Sequence, residues 1–394
     1  MNNNQCPICQ SSNTISILTR EQMPVFQNIL INNSEDARQL AKGDLTILQC
    51  GSCGFVYNSS FDSSKVVYGS DYENTQSHSQ YFDKYLDELV ATLVNRNEVR
   101  NVNVVEIGCG KGVFLRKIVE GGENRGYGFD PSYIGSEIEL EGKLKFEKRL
   151  FNEECVDIKT DVVICRHVIE HISEPLLLLR DVRSALTHSP HAKVFFETPC
   201  VEWIFKNKVM FDIFYEHCSY FSKSSLTKAF ELAGFEVVNI EHIFNDQYLW
   251  LEARIAETEE RPYNEPQPTN HSHITSIGFA KYELDWKKNV TDKLSRYCKK
   301  GKIAIWGAGA KGVTFLNLID PDRYYINCVI DVNPNKVGNF VPGTGHEIIG
   351  VSDLGNEGIS TIIVMNPNYF GENKLILEKL HLDIELINIE HWNV

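Results

Sequence analysis

The stretch Val104-Val105-Glu106-Ile107-Gly108-Cys109-Gly110-Lys111-Gly112 decides the fold of this chain. It predicts an apolar β-strand that runs into a loop with glycine at every second position. A second apolar run, Gly126-Tyr127-Gly128-Phe129, ends at Asp130. Glycine lets the backbone approach a ligand closely because it has no Cβ, and an acid at this place can accept the hydroxyls of a ribose. The pattern therefore predicts a βαβ unit that binds an adenosine-like cofactor.

Strand and helix patterns alternate from residue 102 to about residue 256, as in a doubly wound sheet. The predicted strands are short apolar runs over residues 103–107, 126–130, 145–149, 161–165 and 192–197. A helix over residues 224–233 stops at Gly234. Two further β runs, residues 235–240 and 248–253, follow and are joined by Asn245-Asp246. We therefore expect a hairpin to close this sheet.

The glycine loop and the closing hairpin together favour one cofactor. The loop has the form GxGxG, whereas dinucleotide-binding dehydrogenases carry GxGxxG. It resembles the S-adenosylmethionine (SAM) loop of class I methyltransferases, and the hairpin resembles the reversed last strand pair of that fold. The alternative is an ordinary tight turn between a strand and a helix. The predicted cofactor residues, which lie at or just after the carboxyl ends of strands, are Glu106, Gly108, Gly110, Gly112, Asp130, Phe151 and Arg166. The glycines would line the methionine end, Asp130 the ribose and Phe151 the adenine.

Composition limits the range of functions. The chain has 394 residues with 42% hydrophobic content, which indicates two or three domains with cores of their own. Its net charge of -14 argues against a general nucleic-acid binder. No apolar run approaches the length of a membrane span, and the polar start Met1-Asn2-Asn3-Asn4 is unlike a signal peptide. The eleven cysteines form no disulfide framework, so we expect a reducing, cytoplasmic location.

Two CxxC motifs, Cys6-Pro7-Ile8-Cys9 and Cys50-Gly51-Ser52-Cys53, lie near the N-terminus. Two intervening residues let both thiolates of a motif turn onto one ion, and two motifs complete a tetrahedral sulfur site. The alternatives are a cluster of buried thiols and a redox CxxC. We expect a structural zinc ion on Cys6, Cys9, Cys50 and Cys53, stapling short segments around a helical stretch.

Candidate catalytic residues follow the fourth and fifth predicted strands of this sheet. The segment Arg166-His167-Val168-Ile169-Glu170-His171 leaves the carboxyl edge, where ligands of open α/β folds bind. His171 therefore faces either the cofactor sulfur or the substrate, or else only shapes the turn. The second candidate is Glu216-His217, in an aromatic-rich segment. A nearby carboxylate would fix the tautomer of His217 and raise its basicity; the alternative is a surface Glu beside a buried His.

A second α/β unit follows a helix predicted over residues 276–299. Residues 302–306 form an apolar strand, and Gly307-Ala308-Gly309-Ala310-Lys311-Gly312 follows. Asp331 ends the next strand, which makes this half a weak echo of the first. Three interpretations compete: a second nucleotide site, a cradle for a substrate phosphate, and a structural copy. Lys311 at a helix start suits an anionic group, so we favour a unit that anchors the substrate.

These motifs occur together in one family. Together they resemble the zinc-containing C-methyltransferases of nucleotide-linked deoxysugars. The motifs that carry the resemblance are the paired CxxC motifs, Glu106-Ile107-Gly108-Cys109-Gly110-Lys111-Gly112, His167-Val168-Ile169-Glu170-His171, residues 216–222, and residues 307–312 with Pro342-Gly343-Thr344. The resemblance covers nearly the whole chain. It implies that a base removes a proton next to a keto group and that the enolate attacks the methyl of SAM.

The resemblance also assigns roles to individual residues. It implies that His217 is the base with Glu216 beside it, that His171 lies near the reacting carbon, and that Tyr72 lies over the site. The family often has a tyrosine two positions before the acid, where this sequence has Phe214. The neighbouring Tyr215 is taken as a substrate-binding residue, and so is Lys311 because of its place at a helix start.

We thus predict an α/β protein with a Rossmann-like class I methyltransferase domain between a four-cysteine zinc module and a second Rossmann-like unit. The predicted boundaries are 1–75 for the zinc module, 76–256 for the SAM domain, 257–275 for a linker and 276–394 for the C-terminal unit. The predicted function is methyl transfer to a small nucleotide-linked keto-sugar, as a monomer or dimer without nucleic-acid or membrane partners. The alternatives are an O- or N-methyltransferase acting on a glycan or secondary-metabolite precursor, and a non-catalytic SAM-binding scaffold.

Overall fold

Three β-sheets organise the part of the chain that the computed structural model describes, residues 5–69, 71–257 and 278–392. Together with the helices between their strands they make a mixed α/β protein. The predicted linker over residues 257–275 lies, except for residue 257, outside the described residues. No helix within the described ranges is both long and apolar enough to cross a membrane.

The N-terminal region is mainly β-structure. Its strands and its one short α-helix among the described residues are β1 (Thr14–Pro24), α1 (Ser34–Arg38), β2 (Lys42–Cys50) and β3 (Val56–Asn58). β1 and β2 pair antiparallel from Thr14 opposite Cys50 to Pro24 opposite Lys42. The expectation of short segments around a helical stretch is therefore wrong for most of this region. Leu45 and Ile47 alternate with more exposed residues and point into the core, which is the period of a strand.

The middle of the chain begins with an amphipathic helix and then alternates strands and helices. Its first elements in chain order are α2 (Gln80–Asn95), β4 (Asn103–Ile107), α3 (Val113–Gly122), β5 (Arg125–Phe129), β6 (Ile138–Glu139), β7 (Leu144–Glu147), β8 (Val162–Arg166), α4 (Pro175–Ala185) and β9 (Lys193–Pro199). Ser79 caps α2 by accepting a hydrogen bond from the backbone N–H of Phe82, and Pro175 occupies the first turn of α4. The five predicted strands are all present within two residues of their expected bounds.

The remaining elements of this region close the sheet. They are α5 (Val201–Lys206), β10 (Ser219–Tyr220), α6 (Lys223–Leu232), β11 (Phe235–Ile243) and β12 (Tyr248–Ile255). The large sheet has the order β11-β12-β9-β8-β4-β5-β7-β6. β9, β8, β4, β5 and β7 run parallel, whereas β12 is antiparallel to β9 and β11 is antiparallel to β12. This order and the reversed hairpin confirm the predicted Rossmann-like methyltransferase fold.

The C-terminal unit carries a smaller parallel sheet. Its elements are α7 (Phe279–Tyr297), β13 (Lys302–Trp306), α8 (Ala310–Ile319), β14 (Cys328–Asp331), β15 (Ile348–Gly350), α9 (Leu354–Glu357), β16 (Ile359–Val364), α10 (Phe370–Lys379) and β17 (Glu385–Asn388). The sheet order is β15-β14-β13-β16-β17. β14 and β16 flank β13, so the loop that begins at Gly307 emerges from the middle of the carboxyl edge. This edge is where open parallel sheets bind ligands.

The first and second sheets are joined through β10. Ser219 pairs with Tyr57 and Tyr220 with Val56, so β10 is the fourth strand of the N-terminal sheet, in the order β1-β2-β3-β10. Glu216 and His217 lie in the turn that leads directly into β10. The N-terminal sheet therefore supports the segment that carries the candidate base.

Candidate active site

The first glycine loop is shaped by positive φ angles. Gly108 has φ of +69° and Gly110 has φ of +53°, values that side-chain-bearing residues rarely adopt. A Cβ on Gly108 would lie 2.1 Å from the side chain of Val168, whereas a Cβ on Gly110 would meet nothing within 4 Å. Packing therefore explains Gly108, while Gly110 borders open space that a ligand can approach.

Asp130 is oriented toward this loop. Its Oδ2 accepts a hydrogen bond of 2.8 Å from the backbone N–H of Gly110, and its Oδ1 accepts bonds from the backbone and hydroxyl of Ser132 at 2.8 and 2.6 Å. Phe151, the residue predicted at the adenine, is nearly buried and packs edge-on against Phe129 with ring centroids 5.3 Å apart. The loop, the acid and the aromatic residue thus surround the carboxyl ends of β4 and β5.

A buried charge network lies behind the loop. Arg166 donates from Nε to Glu197 Oε2 at 2.5 Å, and Glu197 also bonds Tyr85 at 2.7 Å and His167 at 3.0 Å. Burial opposes the charge of Glu197, but Arg166 and His167 outweigh it and lower its pKa to about 2. The same carboxylate holds the pKa of His167 at about 9 despite its burial. His167 is therefore a charged structural residue at neutral pH.

Two atoms of this network have no hydrogen-bond partner among the described residues. They are Glu106 Oε2 and Arg166 Nη2, both buried. Burial raises the pKa of Glu106 to about 8, so its carboxyl is mainly protonated at neutral pH. Unpaired buried polar atoms are costly unless a ligand or water completes them, which fits the prediction that Glu106 and Arg166 belong to a cofactor site.

A cleft lies between the carboxyl edges of the large sheet and the C-terminal sheet. Its walls come from three parts of the chain: residues 72–79 on the N-terminal side, residues 167–171 and 212–217 of the middle region, and residues 306–312, 331–336 and 364–373 of the C-terminal unit. The tertiary structure therefore combines in one cavity segments that are more than 200 residues apart. We refer to this cavity as the interdomain cleft.

His171 and His217 face each other in the interdomain cleft. Their ring centroids are 4.7 Å apart and the rings are nearly perpendicular. Burial lowers the pKa of both imidazoles, and for His217, whose pKa lies well below 6.5, His171, His167 and Lys311 lower it further. Both rings are therefore neutral at pH 7, and a neutral imidazole can accept a proton. The structure brings together the two histidines that the sequence singled out.

Glu216 does not orient His217. Its Oε1 accepts the backbone N–H of Gln27 at 2.6 Å and its Oε2 accepts the hydroxyl of Tyr72 at 2.7 Å. The prediction that this carboxylate fixes the tautomer of His217 is therefore wrong, because the two side chains leave the turn in different directions. Burial raises the pKa of Glu216 to about 7. The predicted residues Tyr72 and Glu216 form a pair of their own in the cleft wall.

Tyr215 is turned away from the cleft, contrary to the substrate-binding prediction. Its side chain is fully buried, packs on Phe61 with centroids 5.3 Å apart and accepts the backbone N–H of Asp62. Its neighbours Phe214 and Glu216 line the cleft instead. Tyr215 lies in the turn before β10, and its side chain is directed toward Phe61 and Asp62 of the N-terminal region.

The second glycine loop repeats the hydrogen bonding of the first. The N–H of Gly307 donates to Ile330 O at 2.8 Å, as that of Gly108 donates to Phe129 O at 2.8 Å. Asp331 accepts from the backbone of Ala308 through Oδ2 and from that of Asn333 through Oδ1, both at 2.8 Å. The similarity between the two loops is therefore present in the structure as well as in the sequence. The second loop opens into the interdomain cleft.

Two lysines lie beside the second loop. Lys311, at the start of α8, forms an ion pair of 2.6 Å with Asp212 and lies over the ring of Trp203. Lys336 is 6% exposed and donates to Asn28 Oδ1 at 3.1 Å and to Ala308 O at 3.0 Å. Burial lowers the pKa of Lys336. The N-terminus of α8 has no side-chain cap. Together with these cations, this helix N-terminus makes this end of the cleft suited to an anion.

Glu73 connects the two glycine loops. It is buried and forms an ion pair with Lys111 of the first loop. Asn333 and Asn335, which follow the second loop's Asp331, donate to the same carboxylate at 3.2 and 3.0 Å. Burial opposes the charge of Glu73, but Lys111 and the hydrogen bonds from Thr75 outweigh it and lower the pKa of Glu73 to about 2. Glu73 is therefore a charged residue that holds the three parts of the chain together at the cleft.

Sequence reasoning missed three residues of the site: Tyr68, Glu73 and Lys336. The Tyr68 hydroxyl shares a hydrogen bond of 2.8 Å with His171 Nδ1, and its ring packs edge-on against Tyr72 at 4.8 Å. None of the three lies in a recognisable motif. Their hydrogen-bond partners are distant in sequence, so no local pattern indicates Glu73 or Lys336. For Tyr68 the available signal is its closeness in sequence to the predicted site residue Tyr72.

The four predicted metal ligands converge. Cys6, Cys9, Cys50 and Cys53 are buried, and their sulfur atoms lie within 4.8 Å of one another. The Sγ distances are 3.6 Å from Cys6 to Cys53 and 3.4 Å from Cys9 to Cys50. One tetrahedral ion with metal–sulfur bonds of about 2.3 Å requires sulfur separations of roughly 3.8 Å, close to these values.

Family comparisons divide the chain as the sheets do. Residues 78–240 match a family model described as methyltransferase domain, and residues 265–381 match one described as C-methyltransferase C-terminal domain. With the strand order of the large sheet, the first match shows that the chain contains a class I methyltransferase domain.

Individual relatives are more distant. A tRNA U34 carboxymethyltransferase of Campylobacter jejuni is 32% identical over 114 residues, 27% of this chain and 38% of that protein. The C-methyltransferase NovU of Streptomyces niveus is 25% identical over 243 residues, 60% of this chain and 57% of that protein. The chain thus spans less than two thirds of either relative. Among solved structures, the chain is similar to the magnesium protoporphyrin IX methyltransferase ChlM of Synechocystis, bound to S-adenosylhomocysteine (SAH). The two are 18% identical, the match covers 45% of this chain and 84% of ChlM, and the TM-score is 0.35.

Proposed function

We propose that the chain transfers the methyl group of SAM to a carbon atom of a small nucleotide-linked keto-sugar. The observation that carries this proposal is the interdomain cleft, in which two neutral histidines share one cavity with two lysines and a helix N-terminus. A base and an anion site in one cavity suit an acidic carbon on an anionic substrate. The match of residues 265–381 to the C-terminal domain of C-methyltransferases and the similarity to NovU support carbon as the acceptor.

The first glycine loop fits SAM. The space beside Gly110, the carboxylate of Asp130 and the unpaired Nη2 of Arg166 would receive a ligand with hydroxyl and carboxylate groups. These residues and the aromatic Phe151 would hold the cofactor. When bound, SAM supplies an electrophilic methyl group.

His217 is the proposed base. Its imidazole is neutral and would take the proton from the carbon next to the keto group, while the electron pair of that C–H bond passes into the enolate. His171, held by Tyr68, lies beside it and would orient the substrate. The hydroxyl of Tyr72 and the carboxyl of Glu216 form the adjoining wall. The main contribution of the protein is to hold the acceptor carbon in line for transfer.

Lys336, Lys311 and the N-terminus of α8 are proposed to bind the phosphates of the nucleotide. Lys336 is buried, and among the described residues its amino group has two oxygen acceptors, Asn28 Oδ1 and Ala308 O, so the third of its N–H donors could serve a ligand. The cleft offers two lysines in a protein of net charge -14. We therefore favour a small anion over a tRNA, which would need a basic surface.

A structural zinc ion on Cys6, Cys9, Cys50 and Cys53 is part of the proposal. It is supported by four buried sulfur atoms at tetrahedral spacing, a set that leaves no open coordination position. The ion would hold the segment before β1 against the turn between β2 and β3. Its role would be to stabilise the N-terminal sheet.

Exchange of substrate protons with deuterium oxide tests the function. With a panel of keto-sugar nucleotides and no SAM, we expect the protein to exchange the proton next to the ketone. His217→Asn should lower both exchange and methyl transfer by about 10²- to 10⁴-fold, the usual contribution of a general base. The matched control is His191→Asn, an exposed histidine far from the cleft, which should retain both activities.

Methyl transfer without exchange would instead indicate an oxygen or nitrogen acceptor. Unchanged turnover of His217→Asn would exclude His217 as the base. Binding of SAH without turnover on the panel would favour a non-catalytic scaffold.

A further inference from the structure

Three metal-binding side chains converge on the face of the large sheet beside the cleft. Cys200 directly follows β9, Glu202 lies on α5 and His242 lies on β11. One ligand atom from each lies within 4.8 Å of the others. We propose that Cys200, Glu202 and His242 form a second metal site, for Zn²⁺ or a similar transition-metal ion, distinct from the four-cysteine cluster.

The geometry matches a tetrahedral ion. Cys200 Sγ and His242 Nε2 are 3.4 Å apart. Metal–sulfur and metal–nitrogen bonds of about 2.3 and 2.0 Å at a tetrahedral angle place these two atoms roughly 3.5 Å apart. Thiolate, imidazole and carboxylate are the three ligand types that zinc uses in proteins. An ion can therefore enter with little movement of Cys200 and His242.

The surroundings supply access, orientation and charge balance. Cys200 is buried, Glu202 is half-buried and His242 is exposed, so the site opens to solvent on the histidine side. The backbone N–H of Lys223 donates to Glu202 Oε2 at 3.1 Å, which orients that carboxylate as the outer shell of a metal site does. Binding releases the thiol proton of Cys200 to solvent, and thiolate and carboxylate then balance the two charges of the cation.

The site would stabilise one wall of the cleft. Cys200 follows Pro199, which lines the cleft, and its N–H donates to Gln247 O in the turn between β11 and β12. A metal bound to Cys200 and His242 would tie the end of β9 to β11. Three protein ligands leave a fourth coordination position for water, whereas closed structural zinc sites have four protein ligands.

Cobalt titration tests this site. Co²⁺ alone is added to full-length protein whose zinc content has first been measured, and the near-ultraviolet thiolate-to-cobalt absorption band is recorded. We expect one more bound Co²⁺ per chain in the wild type than in Cys200→Ser, and a weaker thiolate band in that variant. Because the four-cysteine cluster is unaltered in both proteins, its contribution cancels. His242→Ala, a change at an exposed residue, should weaken binding of the same equivalent by more than the roughly 10- to 100-fold that changes in the outer shell of a metal site cause.

Cys298→Ser, at the one exposed cysteine of the described chain, is the matched control and should bind like the wild type. Equal stoichiometry and equal bands in wild type and Cys200→Ser would overturn the proposal. A second outcome would also overturn it: an extra Co²⁺ equivalent that gives no thiolate band and is lost in His171→Asn. Such an ion would be bound by Glu170, His171 and His217, a cluster in the cleft that contains no sulfur. None of these outcomes depends on the methyl-transfer activity.

Discussion

Glu216 and His217 are neighbours in sequence but have different partners in the structure. Glu216 is 1% exposed and accepts hydrogen bonds from Gln27 and Tyr72. His217 packs on Phe214, with ring centroids 4.0 Å apart, and on His171. At the scale of the residue, burial disfavours the charged form of both groups: it lowers the pKa of His217, which stays neutral, and raises the pKa of Glu216.

The raised pKa of Glu216 predicts a loss of stability as pH rises. Its folded-state pKa of about 7 exceeds the ordinary value of 4.5. The stabilisation from its protonated form is therefore fully present below about pH 4.5 and is lost as pH rises through about 7. A shift of this size corresponds to roughly 3 kcal/mol. We expect Glu216→Gln, which does not titrate, to lack this part of the pH dependence in chemical denaturation at pH 5 and pH 8.

The quantity to compare is the difference in the free energy of unfolding between pH 5 and pH 8. The new Gln side chain also disturbs the hydrogen bonds to Gln27 and Tyr72, but it does so equally at both pH values, so this effect cancels. Glu154→Gln, at an exposed carboxylate, should keep the wild-type pH dependence. An identical pH dependence in wild type and Glu216→Gln would show that Glu216 ionises normally in the folded protein.

At the scale of the element, the pairing of β3 with β10 has the widest consequence. β10 contains only Ser219 and Tyr220, and without Val56 and Tyr57 it has no strand partner among the described elements. The residues before it include both His217 and Glu216. The four cysteines lie before β1 and at the turn between β2 and β3, so an ion there would support the segment around His217 across the same sheet.

Removal of the proposed zinc should therefore slow methyl transfer strongly but spare cofactor binding. Chelation, or Cys53→Ser, should lower turnover roughly a hundredfold, because displacement of a reacting group by about 1 Å has that effect. The first glycine loop belongs to the large sheet, so SAH should bind with an unchanged Kd in calorimetry. Zinc content, turnover and Kd are measured on the same sample.

Cys298→Ser again serves as control and should retain zinc and turnover. Full activity of a zinc-free protein would contradict a supporting role of the N-terminal sheet. Loss of SAH binding together with turnover would show that the ion stabilises the whole chain and not the segment around His217 alone.

At the scale of the whole molecule, a buried ion pair joins the N-terminal sheet to the C-terminal unit. Arg20 of β1 bonds Glu283 of α7 at 2.6 Å, and both side chains are less than a tenth exposed. Arg20 also donates to the carbonyl oxygens of Met210 and Ile213, just before the segment that carries Glu216 and His217. Helix α7 of the C-terminal unit thus fixes β1 and the path of the chain toward His217.

Breaking this pair from one side should be strongly destabilising. Glu283→Ala leaves Arg20 buried without its counter-ion, and we expect a loss of about 3–5 kcal/mol in the free energy of unfolding. The exposed pair of Arg254 and Glu236 is the matched comparison, where Glu236→Ala should cost at most about 1 kcal/mol. Both losses in the free energy of unfolding are measured by denaturant titration. Equal losses would show that the buried pair contributes no more to stability than the exposed one.

Local pattern was enough to predict much of this protein. The strands of the large sheet, the closing hairpin, the helix over residues 279–297 and the four cysteines all depend on short-range spacing, which a sequence displays directly. The N-terminal sheet was not predicted, because its pairs join residues such as Thr14 and Cys50 across a long connection. Register between distant strands depends on tertiary packing, which no local window contains.

The sequence by itself determined the cofactor-loop type, the order of the domains and the identity of the two histidines. Each follows from residues that are close together in the chain. Only the tertiary structure decided that Glu216 binds Tyr72, that Tyr215 faces away from the cleft, and that Tyr68, Glu73 and Lys336 belong to the site. The physical reason is that a side chain's partners and pKa depend on what is buried beside it, and in this protein those neighbours come from distant segments.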